Sequence, residues 1–166
     1  MRAANELATS NEIGSAANHI YSKTNPLDAE FPELVGVNPH YVESAGPGVN
    51  INCASCANAA HERLTRANPE ATSQPSGRYA NRNELLPSAP MGFGDFGTVS
   101  AATQEMIRRG EGATAPLIIK QGDSSPMHVV NTVNRDGKVR FIDAQSSHVV
   151  ELHPGVSVQL ANPGID

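Results

Sequence analysis

Asp136-Gly137 sits between two β-rich runs, and such a pair is a strong two-residue hairpin signal because Gly takes the positive φ that a type I′ turn demands. With those two residues as the loop, Arg135 faces Lys138, Val130 faces Asp143 and His128 faces Gln145. Opposed and alternate residues share a face, so His128, Val130, Thr132, Phe141, Asp143 and Gln145 project to one side. His128 and Asp143 then become diagonal neighbours, within hydrogen-bonding reach. A three-residue loop would flip one strand and separate them, so the inference stands on register.

The rest of the chain arranges itself around that hairpin. Strands are expected at 116–120, 127–133 and 139–143, and over 149–160 with a break at Pro154-Gly155. Ahead of them, Asn52 precedes an Ala-rich stretch from Cys53 to Arg66 with no Gly or Pro, which predicts a helix with Cys53 in its first turn. A second helix is capped by Thr98 or Ser100 and runs to Arg109, with Gly110 and Gly112 as stop signals. Between the two lies a patternless stretch, 68–97, of a length that is more often functional than decorative. Residues 3–21 carry a loose helical stripe, and 24–48, with Pro26, Pro32, Pro39 and Pro47, read as an ordered wrap or a connector. Helices first and an antiparallel sheet later is an α+β order. Residues 1–40 are expected to form a helical or Pro-rich extension or linker and 41–166 the catalytic domain.

Length and charge set the remaining bounds. A chain of 166 residues fits one domain with a core of its own. Its formal charge of -5, with no block of Lys or Arg, leaves no nucleic-acid footprint. No apolar run approaches the roughly 18 residues that span a bilayer, and the N-terminus lacks the apolar core of a signal peptide, so no membrane partner is expected. The two cysteines, Cys53 and Cys56, are too few for a disulfide framework.

Their chemistry is more informative than their number. A thiol in the first turn of a helix meets the positive end of the macrodipole, which favours the thiolate. A nucleophilic thiol also needs a base, for which His128 is the candidate, and an orienting group, for which Asp143 is the candidate. Cys56 shares a helix face with Cys53. It reads as a small buried residue under the helix, as an alternative nucleophile, or as half of a zinc pair. Zinc needs four ligands, and the second half of the chain holds no CxxC or His-x3-His to complete the set. Of the other histidines, His19 and His61 fall on expected helices where a polar face explains them, His40 sits in the Pro-rich segment, and His148 and His153 follow the sheet without partners at suggestive spacing.

Asn52-Cys53-Ala54-Ser55-Cys56, a long loop, a helix ending in Arg-Arg-Gly, His128-Val-Val-Asn131, and Val139-Arg-Phe-Ile-Asp143-Ala-Gln145 together resemble the papain-fold toxin family, the Tox-PL type of bacterial polymorphic toxin domain. The resemblance runs from Tyr41 to Gln145 in four blocks. It implies a papain-like fold with Cys53 as nucleophile, His128 as general base and Asp143 as its orienting partner, and it matches Gln145 to a polar position after the Asp. Papain-type proteases place an oxyanion Gln six residues before the nucleophile, where this chain has Pro47; Asn50 stands six before Cys56. Either the Cys53 backbone N-H with Asn50 or Asn52 supplies the oxyanion donors, or Cys56 is the nucleophile; the first is favoured.

The resemblance implies a secreted effector or toxin domain, a protein glutamine deamidase that needs no metal or organic cofactor and acts in the cytoplasm of a host or rival cell. A cysteine protease or deubiquitinase would use the same three residues, and a transglutaminase would replace water with an amine. A non-enzymatic binding module, with the thiols incidental, is the reading from a different class. A toxin also implies a cognate immunity protein that protects the producer.

Overall fold

Asp136 and Gly137 take φ of 55° and 77°, and the flanking strands pair Arg135 with Lys138, Thr132 with Phe141 and Asn131 with Ile142. The register is the one the Asp-Gly turn requires. In the computed structural model, which describes residue 13 and residues 20–39, 52–75, 80–121 and 127–164, this hairpin is the middle of a six-stranded sheet. The strands are β1 (Tyr21–Pro26), β2 (Thr114–Lys120), β3 (His128–Arg135), β4 (Lys138–Asp143), β5 (His148–Leu152) and β6 (Ser157–Leu160), and the helices are α1 (Cys53–Leu64) and α2 (Val99–Arg109). The strand order is β1-β5-β4-β3-β2-β6, with every neighbouring pair antiparallel.

A helix lies on each face, which is why β2 and β3 are buried along almost their whole length. Alternation along the strands divides the core. Ile118, Val129, Val133, Ile142 and Val149 pack with residues of α1. Leu117, Ile119, Val130, Val150 and Val158 pack with Ala102 of α2. Two buried asparagines of β3 tie both helices to the sheet: Asn131 Nδ2 donates to the Ala57 carbonyl at 3.0 Å, and Asn134 Nδ2 to the Met106 carbonyl at 3.1 Å. Helix α1 begins at Cys53 as expected, and α2 is capped by Thr98, whose side chain accepts the Ala101 N-H, and ends at Gly110 with φ 99°.

The segment ahead of α1 departs from expectation. Of the wrap and the connector, the described residues form the wrap, and its first part is a strand: β1 pairs with β5 at the sheet edge, Tyr21 opposite Leu152. The sheet therefore takes an edge strand from before the helices. Leu27, Phe31, Leu34 and Val37 then share one core cluster with Cys56, Ala59, Ala60 and Ile142. Over the described residues, the stretch assigned to an extension or linker before residue 40 is part of the same packed core. Proline fits because its fixed φ suits short turns: Pro32 opens the 3-10 turn Pro32–Leu34. Arginines from later elements hold the wrap down. Arg63 donates to the carbonyls of Ala71, Glu33 and Val35, and Arg135 donates to the Glu30 carbonyl while its guanidinium lies 4.3 Å from the Phe31 ring centre. The helical stripe expected over 3–21 falls almost wholly outside the described residues; Ile13 bridges Ala80, and Tyr21 is extended.

Candidate functional site

Strand β3 begins at His128 and β4 ends at Asp143, so an antiparallel pair in this register carries both residues to the same end of the sheet. His128 Nε2 lies 3.4 Å from Asp143 Oδ1. The first residue of α1 reaches the same end, so the His128 imidazole interacts with both the Cys53 thiol and the Asp143 carboxylate. Cys53, His128 and Asp143 are each at most 1 % exposed, so the three groups interact where water screens them little.

Asp143 is held from all sides. Oδ1 faces His128 and accepts the Gln145 backbone N-H at 3.1 Å; Oδ2 accepts the Ser146 hydroxyl at 2.7 Å and the Tyr21 hydroxyl. A carboxylate has about four acceptor positions, and this set of donors uses them. Burial alone would raise the Asp143 carboxyl, but the charge of His128 and the hydrogen bonds from His128, Tyr21 and Ser146 hold it below the ordinary aspartate value. Burial likewise pulls the His128 imidazole down. The charge of Asp143, then Cys53, and the hydrogen bonds to both outweigh it and leave His128 well above the usual histidine value. Both neighbours thus favour the protonated ring.

A second cluster adjoins the first through the Asn52-Cys53 peptide. Asn52 stands at the N-cap of α1, and its carbonyl accepts the Cys56 N-H at 3.0 Å, but its side chain caps nothing. Asn52 Nδ2 points instead to Asn38 Oδ1 at 3.1 Å, the Gln74 carbonyl at 3.1 Å and Ser73 Oγ at 3.4 Å, while Oδ1 accepts Gln145 Nε2 at 3.2 Å. Ser73 Oγ donates to Asn38 Oδ1 at 2.8 Å, and Asn38 Nδ2 donates to the Gln145 carbonyl at 2.8 Å. All four of these side chains are buried. Asn52 is one of two expected oxyanion residues beside the Cys53 N-H; its side-chain donors are engaged here in joining the wrap and the long loop to the start of the helix. Gln145 gains a concrete place, linking the residue after Asp143's turn to the residue before Cys53. Asn50 lies outside the described residues.

Cys56 is packed among Ala59, Ala60, Ala71 and Ile142 beneath α1. Burial pushes its thiol well above the ordinary value; a hydrogen bond with Ser73 opposes this, and the charges of Cys53 and Asp143 reinforce it. It is held as a neutral thiol, in keeping with its reading as a small buried residue. Among the described residues no group of three or more His, Cys, Asp or Glu is placed to hold a metal ion, and no helix is long and apolar enough to cross a membrane.

Four contributors escaped the sequence reading: Tyr21, Asn38, Ser73 and Ser146. Ser146 had a signal, a hydroxyl three residues after the Asp in a polar Gln-Ser-Ser run that must turn. The others lie in segments without periodicity, and only tertiary contacts reveal them.

A helix whose first residue is a thiol, set against the end of an antiparallel sheet that offers an imidazole and a carboxylate, defines the class: a papain-like α+β fold. The chain belongs to the family described as papain fold toxin 1, glutamine deamidase, which matches residues 51–148. No curated protein matches the chain.

Proposed function

We propose that this protein is a thiol-dependent glutamine deamidase whose nucleophile is Cys53. The observation that carries the reading is the buried series of Cys53, His128 and Asp143 at one end of the sheet, with His128 Nε2 3.4 Å from Asp143 Oδ1; membership of a glutamine deamidase family supports the choice of amide. The Cys53 thiolate attacks the side-chain amide carbon of a target glutamine, and the carbonyl oxygen takes the electron pair. The backbone N-H of Cys53, in a first helical turn whose amides have no partner within the helix, is the oxyanion donor. His128 gives its proton to the departing nitrogen, which leaves as ammonia, and a thioester remains. Water then gives a proton to His128 and attacks the thioester, expelling the thiolate with release of glutamate and restoring the thiolate and imidazolium pair. Asp143 keeps the imidazole oriented throughout and stabilises its protonated form when that form is present.

The product places a fixed negative charge where the target protein had a neutral amide. As a toxin domain delivered into another cell, the protein would need no cofactor there, and its producer would carry an immunity protein bound over the site. The test is intact-mass analysis of target-cell proteins exposed to wild-type protein and to Cys53→Ala. An amide-to-acid gain that requires Cys53 supports the reading; cleaved fragments in its place would make the enzyme a protease, and no Cys53-dependent change would make it a binding module.

A further inference from the structure

The family match begins at residue 51, yet the site does not. Tyr21, the first residue of β1, is 5 % exposed and donates its hydroxyl to Asp143 Oδ2. The same side chain lies against the imidazole, with ring centroids 5.9 Å apart and planes inclined by 60°. It touches both His128 and Asp143 from an element other than their own hairpin or α1. Strand β1 pairs with β5 so that Tyr21 stands opposite Leu152. Tyr21 shares a buried cluster with Ile119, Val130 and Val150, on the sheet face to which His128 and Asp143 belong by alternation, and its long side chain reaches them across that face.

We propose that Tyr21 is a positioning residue of the site: its hydroxyl fixes the rotation of the Asp143 carboxylate and its ring holds the His128 imidazole against that carboxylate. Two donors, Tyr21 and Ser146, share Oδ2, which leaves Oδ1 directed at His128. Without the tyrosine hydroxyl, Ser146 alone anchors Oδ2 and the carboxylate turns more freely, so the imidazole spends less time aligned with the thiol. The hydroxyl also favours the ionised carboxylate, since it can only donate to it. The groups that titrate around Asp143 are His128 on β3, Tyr21 on β1, and Cys53 and Cys56 on α1. His148, its cross-strand partner, turns Nδ1 to the Ser146 carbonyl at 2.7 Å.

The proposal rests on the reading of Cys53 as nucleophile, and Tyr21→Phe tests it while keeping the ring and its packing. For the full-length chain, kcat for ammonia release is expected to fall about ten-fold, the effect of one hydrogen bond to a charged group, with KM nearly unchanged. The acid limb of the kcat profile is expected to move to higher pH, because Asp143 protonates more readily. Alkylation of Cys53 by iodoacetamide, followed by mass spectrometry across the same pH range, reads the same coupling without substrate, and its acid limb is expected to move the same way. A Tyr21→Phe protein with the wild-type kcat and the wild-type acid limb overturns the proposal. A wild-type protein that releases no ammonia overturns the deamidase reading instead; a shifted alkylation limb in Tyr21→Phe then still supports the place of Tyr21, and an unshifted one overturns it.

Discussion

Two buried polar clusters meet at the peptide joining Asn52 to Cys53, and they are built from opposite materials. On one side Cys53, His128 and Asp143 are ionisable, and His128 and Asp143 each favour the charged form of the other. On the other side Asn38, Asn52, Ser73 and Gln145 are neutral amides and a hydroxyl, joined by hydrogen bonds of 2.8 to 3.4 Å. Charges buried together are costly unless paired, so the first cluster is explained best by chemistry that needs them. A satisfied neutral network costs far less and fixes geometry, so the second reads as the joint that sets the start of α1 against the sheet end. The lesson is that proximity to the thiol does not assign a role; the capacity to change charge does.

Substitutions can break that division. Cys53→Ala removes the atom that forms the thioester, and loss of about 10³-fold or more in ammonia release is expected, measured as kcat/KM. Asp143→Asn keeps the size of the side chain and removes its charge; about 10²-fold loss is expected. The same variant tests the pH dependence of stability. Asp143 has a folded value below its unfolded one of about 3.9, so its contribution is present above the unfolded value and disappears as pH falls through the folded value. Denaturant titrations across that acidic window should therefore show wild type losing more stability than Asp143→Asn. Asn52→Ala leaves Asn38, Ser73 and Gln145 short of partners, and about 2 kcal/mol of unfolding free energy is expected to go, with a smaller loss of activity than either charged-cluster variant shows. Cys56→Ala should leave kcat within about two-fold and lower stability by about 1 kcal/mol, since it removes a packed sulfur and no reacting atom. If Asn52→Ala abolished turnover in a protein that remained fully folded, the division between the clusters would fail.

The ionisable cluster was legible in the sequence because it depends on local rules. Asp136-Gly137 determines a turn type, the turn determines the register, and the register brings His128 and Asp143 to one strand end. An Ala-rich run without Gly or Pro made Cys53 the start of a helix. The neutral cluster was only half legible. Asn52 and Gln145 drew notice as neighbours of the reacting residues, but their bond to each other spans 93 positions and no periodicity encodes it. Asn38 and Tyr21 were missed for a related reason. Prolines at 26, 32 and 39 signal interrupted structure, and nothing local says that an interrupted segment will add an edge strand or bury Leu27 and Phe31. The N-cap shows the same competition in miniature, since Asn52 has a good capping side chain that tertiary partners take for themselves.

The central claim is that the thiol of Cys53, and not that of Cys56, opens a glutamine amide. Its most direct test is intact-mass and peptide mapping of target-cell lysate proteins after exposure to wild type, Cys53→Ala and Cys56→Ala. The account predicts glutamine-to-glutamate conversion at defined sites with wild type and Cys56→Ala and none with Cys53→Ala. Conversion that survives in Cys53→Ala, or that vanishes in a folded Cys56→Ala, would contradict it.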